Sequence, residues 1–169
     1  MRITRARPDD LERYLDLLEE SAEWLHSRGF GKLAPGTYRR NAHYFRESIA
    51  RGEVHLAFLD DEIAGTLRLV AEDPTVWPEA GDDALYVHNL IVRRPWSGRG
   101  LGRQLLMWAE ERAATVRKTW VRLDCFADNL ILRKYYENAG FVDRGEIDAQ
   151  YPFGRLRLQR YERRVNGSG

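Results

Sequence analysis

Apolar residues recur at helical spacing at Leu11, Tyr14, Leu15, Leu18, Ala22 and Leu25. This predicts an amphipathic helix, opened by Pro8-Asp9-Asp10 and stopped by Gly29 and Gly31. Residues 2–6 ahead of it read as a short strand. A second helix is expected after Pro35-Gly36, with Tyr38, Ala42, Phe45 and Ile49 on one face and Gly52 at its end. The pattern then changes period. Residues 53–59 and 63–71 are strand-like and are joined by the turn Asp60-Asp61-Glu62. Residues 72–83, acid-rich and interrupted by Pro74 and Pro78, read as a loop.

Residues 84–93 form the next predicted strand. A helix follows the glycines at 98, 100 and 102, with Leu101, Leu105, Ala109, Ala113 and Val116 as its buried face. Trp120–Phe126 alternates apolar Val121, Leu123 and Cys125 with charged Arg122 and Asp124, as a half-buried strand does. Asp128 is placed to cap a last helix carrying Leu132, Tyr135, Tyr136 and Ala139, with Gly140 just past its end. Residues 141–147 and 155–161 close the chain as a strand pair. The order β-α-α-β-β-β-α-β-α-β-β argues for one α/β domain built on a mixed sheet.

Composition narrows the function classes. A chain of 169 residues is long enough to bury a core without disulfides or metals. Lys+Arg 27 against Asp+Glu 26 leaves a formal charge of +1, so no global field recruits nucleic acid or an anionic membrane. Cys125 is the single cysteine, which rules out a disulfide within the chain and any cysteine cluster for a metal. The start MRITRARPDD lacks the apolar centre of a signal peptide, and no apolar run is long enough to span a bilayer, so a cytoplasmic location is expected. Residues 166–169 are expected to be a disordered tail beyond a domain of residues 1–165.

The stretch from Val87 to Glu111 carries the strongest chemical signal. A strand, a glycine turn and a helix start in succession form an arrangement that binds phosphate. The first helical turn presents unpaired N–H groups and the positive end of the dipole, and glycines let a ligand approach the backbone. The spacing is not the G-x-G-x-x-G of a dinucleotide fold, because the third glycine comes one residue early. It is not a P-loop either, since Gly102-Arg103-Gln104 stands where Gly-Lys-Ser/Thr is required. Taken alone, the stretch also fits a plain tight turn.

A second stretch, ADNLILRKYYENAGF from Ala127 to Phe141, adds to the first. Together they resemble the GNAT superfamily of acyl-CoA-dependent N-acetyltransferases. Gly100 and Gly102 match the family's acetyl-CoA motif, arginine or glutamine followed by x-x-G-x-G. Asn129, Tyr136, Glu137, Gly140 and Phe141 match its downstream N-x-x-A-x-x-L-Y-E-K-x-G-F pattern. Ser97 departs from the usual arginine or glutamine, with Arg94, Arg99 and Arg103 near enough to replace the charge. Leu132 and Tyr135 also depart, at packing positions. The resemblance implies a GNAT-like, mostly antiparallel mixed sheet, splayed between strands 4 and 5 and flanked by about four helices.

It further implies acetyl-CoA as co-substrate, no metal, and transfer of acetyl to a primary amine of a small molecule or peptide by direct attack. Pantetheine would pair with the fourth strand at Leu90, Ile91 and Val92, with the Leu90 N–H polarising the thioester carbonyl. The amides of Arg99, Gly100, Leu101, Gly102 and Arg103 would take the pyrophosphate, and Asn129 would hydrogen-bond the cofactor or else simply cap its helix. An alkyl amine of pKa ~10.4 must lose a proton before attack, and a departing thiolate gains from a donor. Tyr136 stands at the family's donor position, or else is an aromatic core residue with a bonded hydroxyl like its neighbour Tyr135. His88, two residues before Leu90 and on the same strand face, is the candidate base, the alternatives being a structural histidine with a glutamate or a water chain as base. His26, His43 and His55 carry no spacing argument.

Trp24, Tyr38, Tyr86, Trp96 and Tyr151 are either core residues or walls of the acceptor pocket, which would be drawn from the loop at residues 27–38, the approach to strand four and the hairpin near residues 149–153. The acid-rich loop reads as a plain solvated connection, with attraction of a polycation such as an aminoglycoside or polyamine as the alternative. The alternatives to small-amine acetylation are acetylation of a protein N-terminus or lysine, and a non-catalytic acyl-CoA-binding regulatory module. A homodimer is expected by analogy with the family.

Overall fold

The structure is a computed structural model that describes residues 1–30, 33–79, 81, 83–151 and 154–166. Gly31, Phe153 and residues 167–169 of the expected tail lie outside the described residues. In chain order the elements are β1 (Arg2–Arg5), a 3₁₀ turn (Pro8–Asp10), α1 (Leu11–Ser27), α2 (Thr37–Arg40), α3 (Ala42–Ala50), β2 (Val54–Leu59) and β3 (Glu62–Val70). Then come β4 (Ala84–Val92), a 3₁₀ turn (Arg94–Trp96), α4 (Leu101–Thr115), β5 (Trp120–Phe126), α5 (Leu130–Asn138), β6 (Val142–Tyr151) and β7 (Gly154–Arg164).

The seven strands form one sheet in the order β1-β2-β3-β4-β5-β7-β6. The β1–β2, β2–β3, β5–β7 and β6–β7 pairs are antiparallel, and β4–β5 is parallel. The β4–β5 register runs only from Ala84↔Trp120 to Val87↔Leu123, so the ladder between strands 4 and 5 stops short of the end of β4, as a splayed sheet requires. The chain groups into two compact units, one of residues 1–69 and 89–105, the other of residues 70–88 and 106–169.

In the first unit α1 buries Leu11, Tyr14, Leu15, Leu17 and Leu18 against Phe45 and Ile49 of α3 and Val54, Leu56 and Ile63 of the sheet, and Ala22 is buried as well. The helix ends where expected. Gly29 takes φ 77°, its N–H bonds to the His26 carbonyl, and the Phe30 N–H reaches back to Leu25. The single second helix expected from sequence is instead two, because Asn41 leaves helical geometry (φ −108°, ψ 26°) and its side-chain amide donates to the Thr37 carbonyl. Buried Glu19 of α1 accepts the amides of Gly36 (2.7 Å) and Arg39 (2.9 Å), which fixes the start of α2. Between β2 and β3 the turn is two residues, Asp60 and Asp61, both left-handed (φ 49° and 62°), and Glu62 already belongs to β3.

In the second unit the loop between β3 and β4 is more than a solvated connection. Val76 is fully buried and Trp77 nearly so, in a core with Val70, Ala84, Tyr86, Ala149 and Leu158. Asp73 shapes the loop: its carboxylate accepts the Val76 amide (3.2 Å) and its carbonyl accepts the Trp77 amide (2.8 Å). The guanidiniums of Arg122 (5.0 Å) and Arg160 (5.2 Å) both lie over the Trp77 ring.

α5 is capped by Asn129, whose side chain accepts the Leu132 amide at 3.1 Å, and not by Asp128 as expected. It closes on Gly140 (φ 84°) as expected, with the Phe141 N–H bonded to the Tyr136 carbonyl. β6 runs four residues past the predicted end at residue 147, to Tyr151. Its charged outer positions hid it, and they are paired across to β7 by Arg157–Glu146 and Arg155–Asp148. Leu106, Ala109 and Ala113 of α4 are buried, but Val116 lies past the helix end and is exposed, contrary to expectation.

Candidate functional site

Within the first unit, β4 leads through the 3₁₀ turn and Ser97 into Gly98 (φ 77°), Arg99 and Gly100 (φ 78°), and then into α4. Both glycines are in the left-handed region, where a side chain is strained. A Cβ built on either would meet no protein atom within 4 Å, so the space above this turn is open. Gly102 lies in the first turn of α4, where the N–H groups of Leu101, Gly102 and Arg103 have no intrahelical acceptor. The turn therefore carries the two properties expected from sequence, an approachable backbone and the positive end of a fifteen-residue helix.

Of the arginines expected to make up for Ser97, Arg99 and Arg103 are exposed at the turn, and Arg99 lies over the Trp96 ring at 5.0 Å. Arg94 is committed elsewhere: its guanidinium stacks on Trp24, 3.2 Å from the ring centroid. Desolvation, with Arg28 adding repulsion, lowers its pKa. Trp24 is thus a partner of Arg94, while Tyr38 packs on Phe45 in the core.

Leu90, Ile91 and Val92 are half-buried in the second half of β4. The strand bends there, since Asn89 takes φ 50°. The Asn89 side chain is 3.5 Å from the fully buried Tyr14 hydroxyl, which can donate to it. β3 holds the bent strand closely. The Arg93 amide bonds to the Ala64 carbonyl at 2.9 Å, and a Cβ on Gly65 would stand 2.5 Å from the Ile91 carbonyl oxygen.

Within the second unit, His88 lies between two carboxylates. Its Nε2 is 3.2 Å from Asp73 Oδ2 and its Nδ1 is 3.8 Å from Asp124 Oδ1. One donor atom from each of the three residues falls within 4.8 Å of the others, a set able to hold a metal ion. The carboxylates address different ring nitrogens, however, so they are arranged around the imidazole more than around one common point. Neither aspartate was a site residue in the sequence reading. Asp124 could have been found from strand alternation, since it shares β5 with Cys125, whereas Asp73 sits in a loop with no periodicity to betray it.

Asn129 and Tyr136, seven residues apart on α5, are both buried, at 3% and 6% exposure. Tyr136 packs among Tyr135, Phe141 and Tyr161 with ring centroids 5.5–6.1 Å away. Burial, with Cys125 and Asp124 adding, pushes its hydroxyl well above the ordinary phenol range, so it stays protonated at neutral pH. The Cys125 thiol is pushed up to about 12 by burial, with Asp124 second. Among the other histidines, His26 and His43 are exposed, while His55 is buried with Nδ1 3.0 Å from the Glu53 carbonyl. Tyr86 is a core residue that bonds Arg122 at 3.3 Å, and Tyr151 packs on the second unit's core.

A strand feeding a glycine turn and helix, a parallel pair that ends early, and a buried tyrosine two turns beyond a capping asparagine define an acetyltransferase class of fold. The chain belongs to the Acetyltransferase (GNAT) family, whose profile matches residues 12–141. It is 34% identical over 148 residues, 85% of this chain and 82% of the relative, to the uncharacterized N-acetyltransferase YesJ of Bacillus subtilis. A GNAT acetyltransferase crystal structure from Listeria monocytogenes is similar with a TM-score of 0.78 at 24% identity, covering 97% of this chain and 94% of that one. The yncA structure from Salmonella typhimurium, solved with its cofactor acetyl-CoA, is similar with a TM-score of 0.68 at 14% identity, covering 100% and 96%. No helix among the described residues is long and apolar enough to cross a membrane.

Proposed function

We propose that residues 1–165 form an acetyl-CoA-dependent N-acetyltransferase that acetylates a primary amine of a small molecule or peptide by direct attack. The observation that carries this reading is the turn at Gly98 and Gly100, left-handed and open above, at the start of α4. It suits a pyrophosphate bound by the amides of Arg99 to Arg103. The acetyl-CoA held by the yncA relative supports the same co-substrate here.

Acetyl-CoA supplies an activated acetyl group and a thiol leaving group that needs a proton. The residues of this chain are assigned as follows. The backbone of Leu90, Ile91 and Val92 binds the pantetheine arm as an added strand would, and the Leu90 N–H polarises the thioester carbonyl. Asn129 keeps its capping bond to Leu132 while lending its remaining polar group to the cofactor. His88 accepts a proton from the acceptor ammonium, and Tyr136, protonated at neutral pH, gives one to the leaving sulfur. Cys125 supports direct attack over an acyl-enzyme route. A buried thiol with a pKa of about 12 is not a thiolate near neutrality and is a poor nucleophile.

The test is thiol release from acetyl-CoA across a panel of alkyl amines, aromatic amines, peptides and aminoglycosides. Acceptor-dependent turnover with one class is the expected result. Turnover no faster with any acceptor than with water would sink the enzymatic reading and leave an acyl-CoA-binding module.

A further inference from the structure

We propose that Asp73 is the positioning residue for His88, setting its tautomer through Nε2 so that Nδ1 is the atom that accepts the acceptor's proton. This rests on the reading of His88 as the base. Three observations carry it, all within the second unit. Asp73 is nine-tenths buried, with a side-chain exposure of 9%. Its Oδ1 already accepts the Val76 amide, while its buried Oδ2 has no aligned hydrogen bond and lies 3.2 Å from His88 Nε2. On the far side of the ring Asp124 Oδ1 stands 3.8 Å from Nδ1, beyond direct hydrogen-bond reach.

A neutral imidazole has one N–H to give. A lone pair turned toward a carboxylate at 3.2 Å would be repelled, and a buried carboxylate oxygen without a donor is costly. Both costs fall when the hydrogen sits on Nε2 and faces Asp73. The lone pair is then on Nδ1, facing Asp124 across a gap that a proton-bearing group can bridge. The proton passes from the acceptor nitrogen to Nδ1, and the amine keeps the electron pair with which it attacks. The resulting imidazolium faces Asp73 at Nε2 and has the Asp124 carboxylate 3.8 Å from Nδ1 as a nearby opposite charge, and it returns its proton to solvent after product leaves. The loop that buries Val76 and Trp77 holds the Asp73 backbone, so the carboxylate is set by the fold and not by the acceptor.

The experiment has two arms. Long-range ¹H–¹⁵N correlation on histidine-labelled wild-type protein, with His88 assigned by its loss in His88→Gln, reads the tautomer directly. The Nε2–H form is expected for the neutral ring, and an Nδ1–H form overturns the proposal. In the second arm, Asp73→Asn protein that melts as a folded species should lose roughly 10–100-fold in kcat/KM for the amine, the scale of a mispositioned general base. KM for acetyl-CoA should hold, the ascending limb of the pH profile should move, and Asp73→Glu should recover part of the rate. An Asp73→Asn enzyme with unchanged rate and pH profile, where His88→Gln is impaired, overturns the positioning role alone. A silent His88→Gln overturns the base assignment and this inference with it.

Discussion

The Ile91 carbonyl oxygen of β4 stands 2.5 Å from where a Cβ on Gly65 of β3 would be, closer than real Cβ contacts come. The obstacle is backbone, which cannot swing aside as a side chain can. Gly65→Ala must therefore push β4 away at the residues assigned to pantetheine. The expected cost is about 1–3 kcal/mol of stability, the range for overpacking. Acetyl-CoA affinity should fall with it, which calorimetry and thermal melts can check. An alanine variant with unchanged Tm would show that the two strands have slack.

Gly102→Val should weaken acetyl-CoA binding at least tenfold, about 1.4 kcal/mol, while the protein stays folded. Valine at the start of α4 crowds the amides assigned to the pyrophosphate. Ser97→Arg is expected to bind equally well or slightly better, because it restores the charge usual in the family. Unaltered calorimetric affinity in a folded Gly102→Val protein would take the phosphate role away from this turn.

For Tyr136→Phe the ring and its contacts with Tyr135, Phe141 and Tyr161 remain, so folding and acetyl-CoA binding should be nearly normal. kcat should drop roughly 10²-fold, the lower end for general acid catalysis. Weaker cofactor binding with kcat preserved would make the hydroxyl a ligand contact instead of a donor.

Alkaline pH should unfold the protein through its buried acids. Burial raises the Tyr14 and Tyr136 hydroxyls, and holds the Cys125 thiol and the Tyr38 hydroxyl at about 12. Each group keeps its proton more tightly folded than unfolded, where a thiol titrates near about 8.5 and a phenol near about 10. Their stabilisation is therefore complete below about pH 8.5 and is lost progressively as pH rises beyond. Urea midpoints should fall above that pH, and Cys125 should react with thiol reagents only as the chain unfolds. A midpoint that held steady well past the phenol range would contradict the burial of these groups.

Glu162, 4% exposed, accepts from Arg122 (3.0 Å) and Arg144 (2.7 Å). Glu162→Gln should cost about 3 kcal/mol, because buried Arg122 loses a charged partner, and lower Tm by roughly 6–12 °C. The exposed Arg155–Asp148 pair is the control: breaking it should change stability by less than about 1 kcal/mol. Equal effects in the two variants would mean that burial does not set the strength of these pairs.

Much of this architecture is legible in the chain because its signals are local. Helical spacing from Leu11 to Ala22, a glycine after each of α1 and α5, and alternation along β5 all act within a few residues. The glycine turn is legible for the same reason. Asn41 broke the expected second helix through a side-chain bond that periodicity does not register. β6 was shortened in prediction because an edge strand can carry charges on its outward positions. Asp73 beside His88 was out of reach, since it meets the imidazole only through the folding of a loop whose composition reads as solvent-facing. Val76 and Trp77 show why that reading failed: two apolar residues anchor the loop whatever its acids do.

The Asp60-Asp61 turn also bears on the order in which the chain assembles. β2 and β3 meet across two residues, so their pairing closes almost no loop, whereas β1 must reach Phe58 and Ala57 from the other side of α1, α2 and α3. The hairpin can therefore pair on the microsecond scale of isolated hairpins, ahead of the longer-range pairing of β1. The left-handed turn at Asp60 and Asp61 keeps that closure at two residues, so the register of β2 on β3 is set locally while that of β1 waits on the helices between them.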